Sequence, residues 1–291
     1  MELAGIKLKN RVMVASGTFG YGEEYSQLVD LNKLGAVITK SLSLNKKEGN
    51  PPPRICETPS GMLNTIGLQN DGLKEFIEKQ LPFLSKFDTA VIVNIAGENA
   101  KEFSELAKTL SKEKKVKGLE VNISCPNVQK GGMQFGCSVL GTQEIIKTVR
   151  DSTDLPLIAK LSPNVTDITE IALTAQKAGA DAISLINTVM GMAIDIKKKE
   201  FKLSTKTGGL SGPAIKPIAV RMVWQVAQAI KIPIIGLGGI MTAEDALEFF
   251  MVGAEAVQVG TANFVDANSA IDIINDLEKY DLEKLIGCLN K

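Results

Sequence analysis

Five side chains end apolar runs where their types are out of place. Lys40, Lys160, Asn94, Asn122 and Asn187 close the segments AVITK, LIAK, VIVN, EVN and SLIN. Lysine and asparagine are poor strand formers and are rarely left in a core. Any one of them could simply end a strand and meet water. With Ser16 after a sixth run they make six polar ends, and a set of six asks for a common purpose. Two cations and three amides that both donate and accept suit a polar, anionic, ring-shaped ligand. Gly236-Leu-Gly-Gly239 and Gly260-Thr261 follow two further runs. Glycine lets a ligand come close to the backbone, and N–H groups at such ends commonly hold phosphate. Glycines also serve tight turns, so placement carries this reading. A dinucleotide fingerprint is absent, because Gly236-Leu-Gly238 lacks the third glycine at the required spacing.

These ends must be gathered by a scaffold. Eight apolar, β-branched runs recur: Val12–Ser16, Ala36–Lys40, Ala90–Ile95, Gly118–Ile123, Pro156–Leu161, Ala182–Asn187, Pro233–Gly238 and Ala256–Gly260. Continuous runs of this kind are strands buried on both faces. Amphipathic stretches lie between most of them. Asn99–Ser111 puts Phe103, Leu106, Ala107 and Leu110 on one face. Thr166–Gly179 and Thr242–Gly253 open on a capping threonine and close on glycine, and Pro213–Ile230 is the longest such stretch. Eight strands alternating with helices predict an α/β fold, a parallel (β/α)8 TIM barrel, with a doubly wound open sheet as runner-up. In a parallel barrel the site lies at the C-terminal strand ends, where the polar set falls.

The chain is expected to be a single domain over residues 1–291, with insertions near 41–71 and 189–211. Segments this long usually cover a site or are disordered. Lys197-Lys198-Lys199 reads as a solvated hairpin.

Composition excludes several classes. The 291 residues carry 33 basic and 33 acidic side chains and no histidine. Zero formal charge argues against a nucleic-acid binder. Without histidine there is no Ser-His-Asp or Cys-His pair and no His-ligated metal site. Proton transfer falls to a carboxylate, Lys, Tyr, Cys or water. The four cysteines, Cys56, Cys125, Cys137 and Cys288, form no CxxC and read as free thiols, so no metal site is expected. Apolar runs are only strand-length and the N-terminus lacks a signal peptide's apolar region, so a cytoplasmic protein without membrane contact is expected. On the residues alone, a barrel isomerase or aldolase with Lys160 as Schiff-base lysine stays open, as does a non-catalytic scaffold.

Longer blocks carry a resemblance across essentially the whole chain. They are Ala15-Ser-Gly-Thr-Phe-Gly20, Thr39-Lys-Ser41, Asn64-Thr-Ile-Gly-Leu-Gln-Asn70, Glu120-Val-Asn-Ile-Ser-Cys-Pro-Asn127, Ala159-Lys-Leu-Ser-Pro-Asn164, Asn187-Thr188 and Lys206-Thr-Gly-Gly-Leu-Ser-Gly-Pro-Ala-Ile-Lys-Pro217. The sequence resembles class 1 dihydroorotate dehydrogenases, specifically the NAD-linked type 1B catalytic subunits. The resemblance implies FMN-dependent oxidation of dihydroorotate to orotate in pyrimidine biosynthesis. It implies that Ser16, Gly17, Lys40, Ser41, Asn94, Asn122, Lys160 and Ile186 meet the flavin. Gly212, Gly238, Gly239, Gly260 and Thr261 would hold its phosphate. Substrate would meet Lys40, Asn64, Thr65, Ile66, Gly67, Leu68, Asn122, Asn187 and Thr188.

The resemblance further implies a homodimer flanked by two electron-transfer subunits carrying FAD and a [2Fe–2S] cluster. The segment opening NTVMGMAIDIKKKEF tilts the reading to type 1B over the fumarate-linked class 1A, and related flavin barrels acting on other pyrimidines remain neighbours. Cys125, just past the fourth run and with no histidine to compete, is expected to be the catalytic base. It would remove the C5 proton while the flavin takes the C6 hydride. The loop near 124–138, with Gly131, Gly132 and Gly136, is expected to be a lid. The other three cysteines are expected to be small buried hydrophobes.

Overall fold

A computed structural model of the chain describes residues 1–123 and 138–290. Cys125, Cys137 and the expected lid, apart from Ser138, lie outside the described residues.

The chain opens with a hairpin of β1 (Glu2–Leu3) and β2 (Ile6–Lys7). The barrel strands begin with β3 (Val12–Val14) and β4 (Ala36–Ile38). After β5 (Ile55–Thr58) and β6 (Gly61–Asn64) the barrel resumes with β7 (Ala90–Ile95), β8 (Val116–Asn122), β9 (Leu157–Lys160) and β10 (Ala182–Leu185). A second excursion holds β11 (Val189–Met192), β12 (Ile194–Asp195), β13 (Glu200–Phe201) and β14 (Thr207–Ser211). Strands β15 (Ile234–Leu237) and β16 (Ala256–Val259) complete the barrel, which closes in the order β10-β15-β16-β3-β4-β7-β8-β9 with every pairing parallel. All eight expected strands are present, and the open-sheet alternative is excluded by closure.

Helices pack outside, and their apolar faces explain why. Ala100–Leu110 buries Phe103, Leu106, Ala107 and Leu110, and the Asn99 side chain accepts the Glu102 N–H as its cap. Ala243–Met251 starts with a reciprocal capping box between Thr242 and Asp245. Ile168–Lys177 is capped by Asp167 and not by the expected Thr166; the Asp167 carboxylate accepts from the Thr169 N–H. The long stretch after Gly212 begins as a 3-10 turn, Pro213–Ile215, and becomes α-helical over Lys216–Ala229.

Period-2 alternation along the strands builds the barrel interior. Met13, Ala36, Ile38, Ile92, Ile158, Ala182, Ile235 and Ala256 fill its lower end, and Leu3, Ile6 and Leu8 from the N-terminal hairpin close it. Two positions further along five strands, the interior turns polar: Asn94, Glu120, Lys160, Ser184 and Gln258, each 4% exposed or less. An apolar plug below and a polar layer above give the barrel a chemically defined upper end.

The two insertions meet. β6 pairs with β14 at Gly209↔Asn64, extending into one antiparallel sheet of order β11-β14-β6-β5. The lysine run forms the exposed turn between β12 and β13, the solvated hairpin expected from sequence.

Candidate active site

A cavity of about 520 Å³ opens at the C-terminal end of the barrel. Its floor is Lys160 and Gln258 of the polar layer with Asn122 beside them, its far wall the glycine turns after β15 and β16, and its cover the sheet formed by the insertions. That volume lies within the range of about 300–1,000 Å³ typical of small-molecule sites.

At the floor, Lys160 on β9 faces Ser184 on β10 and Asn122 on β8 in register. Its Nζ donates to Ser16 Oγ at 3.1 Å and to Glu120 Oε1 at 3.3 Å. Asn122 Nδ2 lies 3.4 Å from Ser41 Oγ. Lys40 follows β4, and its backbone N–H donates to Gly20 O at 2.9 Å. Burial lowers the Lys40 pKa from its ordinary value of 10.5; Arg54 adds to the effect, and Glu24 and Asp71 oppose it. Two lysines therefore reach one cavity from different sides of the barrel.

Turns with left-handed backbone form the far wall. Gly212, Gly238 and Gly239 have φ of 94°, 128° and 79°. A Cβ on Gly239 would meet Gly212 O at 2.8 Å and Lys216 N at 2.9 Å, so the two turns pack backbone to backbone. Lys216 ties this corner to the next helix through Asp245 Oδ1 and Glu248 Oε1, both at 2.5 Å. Thr261 Oγ1 donates to Ser211 Oγ at 2.8 Å, joining the β16 turn to the covering sheet.

The cover brings Asn64, Thr65, Ile66, Gly67 and Leu68 over the cavity, with Asn187 and Thr188 beside them. Asn50 pins this segment by donating from Nδ2 to Thr65 O at 2.9 Å, and its backbone N–H donates to Ile66 O at 3.0 Å. Gly67 and Leu68 both have positive φ, 74° and 57°, which turns the chain back over the opening.

Ser16, Gly17, Lys40, Ser41, Asn122, Lys160, Ile186, Gly212, Gly238, Gly239, Gly260 and Thr261 all line the cavity. Asn94 does not. It is fully buried within the polar layer, beneath the cavity, where its Nδ2 donates to Glu120 Oε1 at 2.7 Å. Cys125 lies outside the described residues. Cys56 and Cys288 are free and half-buried, not the buried hydrophobes expected. Glu120 and Gln258 were not singled out from the sequence. Glu120 stands two residues before Asn122, on the same strand face, and that spacing was the available signal. Gln258 likewise sits two before Gly260.

The sequence profile described as dihydroorotate dehydrogenase matches residues 1–280. A protein of Geotalea uraniireducens named dihydroorotate dehydrogenase B (NAD(+)), catalytic subunit, is 58% identical over 296 residues, spanning 99% of this chain and 97% of that one. Proteins with the same name from Desulforamulus reducens and Thermoanaerobacter pseudethanolicus are 55% and 53% identical; the alignments span 100% and 99% of this chain and 96% and 98% of theirs. The crystal structure of the Eimeria tenella DHODH in complex with ferulenol superposes with a TM-score of 0.80 over 100% of this chain and 88% of that one; at 22% identity it speaks to the fold alone. Among the described residues no helix is long and apolar enough to cross a membrane. A closed barrel with this cavity, a profile match over residues 1–280 and relatives above half identity agree: the chain belongs to the dihydroorotate dehydrogenase family.

Proposed function

We propose that this chain, acting as one barrel domain, is the catalytic subunit of an NAD-linked dihydroorotate dehydrogenase. It oxidises (S)-dihydroorotate to orotate in pyrimidine biosynthesis and holds FMN. The observation that carries the reading is the pairing, in one cavity, of a cationic and amide-lined floor with a backbone-lined glycine corner. A ring and a phosphate joined by a flexible chain need those two environments. Three features fit FMN. The Gly239 corner leaves no room for a Cβ. Gln258 Oε1 is buried without a hydrogen-bond partner among the described residues, and Gln258 lines the cavity. Lys160 supplies a fixed positive charge at the floor.

FMN, when bound, supplies the two-electron acceptor for the hydride leaving C6. Lys160 stabilises negative charge at the ring edge, as a preorganised donor does where charge develops. Ser16, Gly17, Ser41 and Ile186 pack against the ring, and Gly212, Gly238, Gly239, Gly260 and Thr261 hold the phosphate. Lys40 pairs with the substrate carboxylate. Asn64, Asn122 and Asn187 match the alternating N–H and C=O groups of the pyrimidine, with Thr188 and the Thr65–Leu68 turn closing over it. Cys125 takes the C5 proton as general base. The cover sheet keeps water from the reacting carbons.

Electrons leave through a second subunit. The relatives' shared name includes NAD and "catalytic subunit", and this chain has no dinucleotide fingerprint. We propose a homodimer flanked by two subunits carrying FAD and [2Fe–2S], in a cytoplasmic assembly. The test is to purify the chain alone and measure flavin per chain, orotate-induced change in the flavin spectrum, and turnover with NAD and fumarate separately. One FMN per chain, an orotate-dependent spectrum and no direct NAD reduction until the partner is added support the reading. Absence of flavin binding, or rapid unaided fumarate turnover, overturns it.

A further inference from the structure

Glu120 is fully buried beneath the cavity, on the strand that also carries Asn122. Its Oε1 accepts from Asn94 Nδ2 at 2.7 Å and Lys160 Nζ at 3.3 Å. Its Oε2 accepts from Gln258 Nε2 at 2.7 Å and Ser184 Oγ at 2.9 Å. All four partners donate, from four strands other than its own, so the group acts purely as an acceptor, as a carboxylate does. Burying a charge this completely is costly and holds only where it is paired and hydrogen-bonded. A structural role alone would be met more cheaply by an apolar residue, as in the layer just below.

We propose that Glu120 is a positioning residue that sets the redox poise of the bound cofactor through Lys160. This rests on the proposed FMN reading. Lys160 faces the cavity and favours added negative charge there. Glu120, on the side away from the cavity, offsets that charge, so the ring meets a neutral pair and not an isolated cation. An isolated cation would stabilise the reduced ring and hold its electrons; the counter-charge keeps them available to a low-potential acceptor. Glu120 has a second effect. Because it only accepts, it turns the amides of Asn94 and Gln258 so that their NH2 groups face its carboxylate. Asn94 Oδ1 and Gln258 Oε1 are consequently the atoms left buried without partners among the described residues. Gln258 lines the cavity, and its Oε1 is one of these unsatisfied acceptors.

The test is a charge cycle read by midpoint potential of the bound flavin: wild type, Glu120→Gln, Lys160→Met and the double variant. The pair carries charges of opposite sign, so the singles shift the balance in opposite directions and the double restores neutrality. Glu120→Gln is expected to favour the reduced flavin at least tenfold, a rise of about 30 mV for a two-electron couple. Lys160→Met is expected to lower the potential by a similar amount, and the double variant to return to within 30 mV of wild type. An unchanged or lowered potential in Glu120→Gln overturns the proposal. If a single variant does not fold, the double, which buries no charge at these positions, decides. A double-variant potential more than about 30 mV below wild type overturns the proposal, and one within that window supports it. Failure of the wild-type chain to bind flavin would instead overturn the functional reading itself.

Discussion

Replacing Gly260 and Gly239 separately by alanine distinguishes crowding within the protein from contact with a ligand. At Gly239, φ is 79°, and a new Cβ would lie 2.8 Å from Gly212 O and 2.9 Å from Lys216 N. Left-handed backbone costs a non-glycine residue roughly 1–2 kcal/mol, and backbone atoms cannot swing away as a side-chain tip can. Gly239→Ala should therefore lower stability and displace the corner. Gly260 is different. Its φ lies outside the left-handed range, and a Cβ there would meet only Ala15 Cβ at 3.6 Å and Thr18 Cγ2 at 3.9 Å, ordinary contacts. Gly260→Ala should change folding stability by no more than about 0.5 kcal/mol, and Tm by no more than about 2 °C. If phosphate approaches this backbone, the methyl group intrudes on the ligand. FMN affinity should then fall about tenfold or more, equivalent to about 1.4 kcal/mol. The assay is quenching of flavin fluorescence on titration into apoprotein, alongside thermal denaturation. Gly5→Ala is a useful control, since its φ is 81°, a new Cβ there would meet only Pro156 Cγ at 3.7 Å, and it lies away from the cavity. Wild-type FMN affinity in both Gly239→Ala and Gly260→Ala would refute the phosphate assignment.

Cys125→Ala should keep FMN and orotate binding while slowing flavin reduction by roughly 10²–10⁴, the usual worth of a general base; stopped-flow reduction at the wild-type rate would remove it from the mechanism. Lys40→Ala should weaken orotate binding more than FMN binding, measured by orotate titration of the flavin spectrum. Because burial lowers the Lys40 pKa below 10.5, its charge is lost at lower pH than in the unfolded chain. Between the lowered folded value and 10.5 the unfolded chain binds more protons, so this group makes stability rise with pH there, while orotate affinity falls. An orotate Kd that stays constant from neutral to alkaline pH would contradict the pairing. Thr242→Ala removes the capping box of the Ala243–Met251 helix and should cost about 1 kcal/mol, or about 2–4 °C in Tm, without changing flavin content.

The barrel was legible because both-face burial leaves continuous apolar runs, and the polar ends stood out against them. Lys40, Asn122, Lys160 and Asn187 were readable as one rim for that reason. Asn94 looked equivalent by the same rule, yet it is buried under the cavity within the polar layer, where its Nδ2 is held by Glu120 Oε1. Glu120 and Gln258 were hidden inside apolar runs, where one polar letter looks like noise until the fold brings five such letters to one level. The insertions were legible as a cover, but their pairing was not: β6 and β14 are about 145 residues apart, and pairing at that distance leaves no local signal. The Thr166 cap failed narrowly, because Asp167 beside it is the better capping residue.

Anaerobic titration of the purified chain with dihydroorotate tests the central claim most directly. The account predicts that bound flavin bleaches with one equivalent of dihydroorotate per flavin, that one orotate forms per flavin reduced, and that this occurs without any partner subunit. A stably bound flavin that dihydroorotate does not reduce, or reduction without orotate formation, would contradict it.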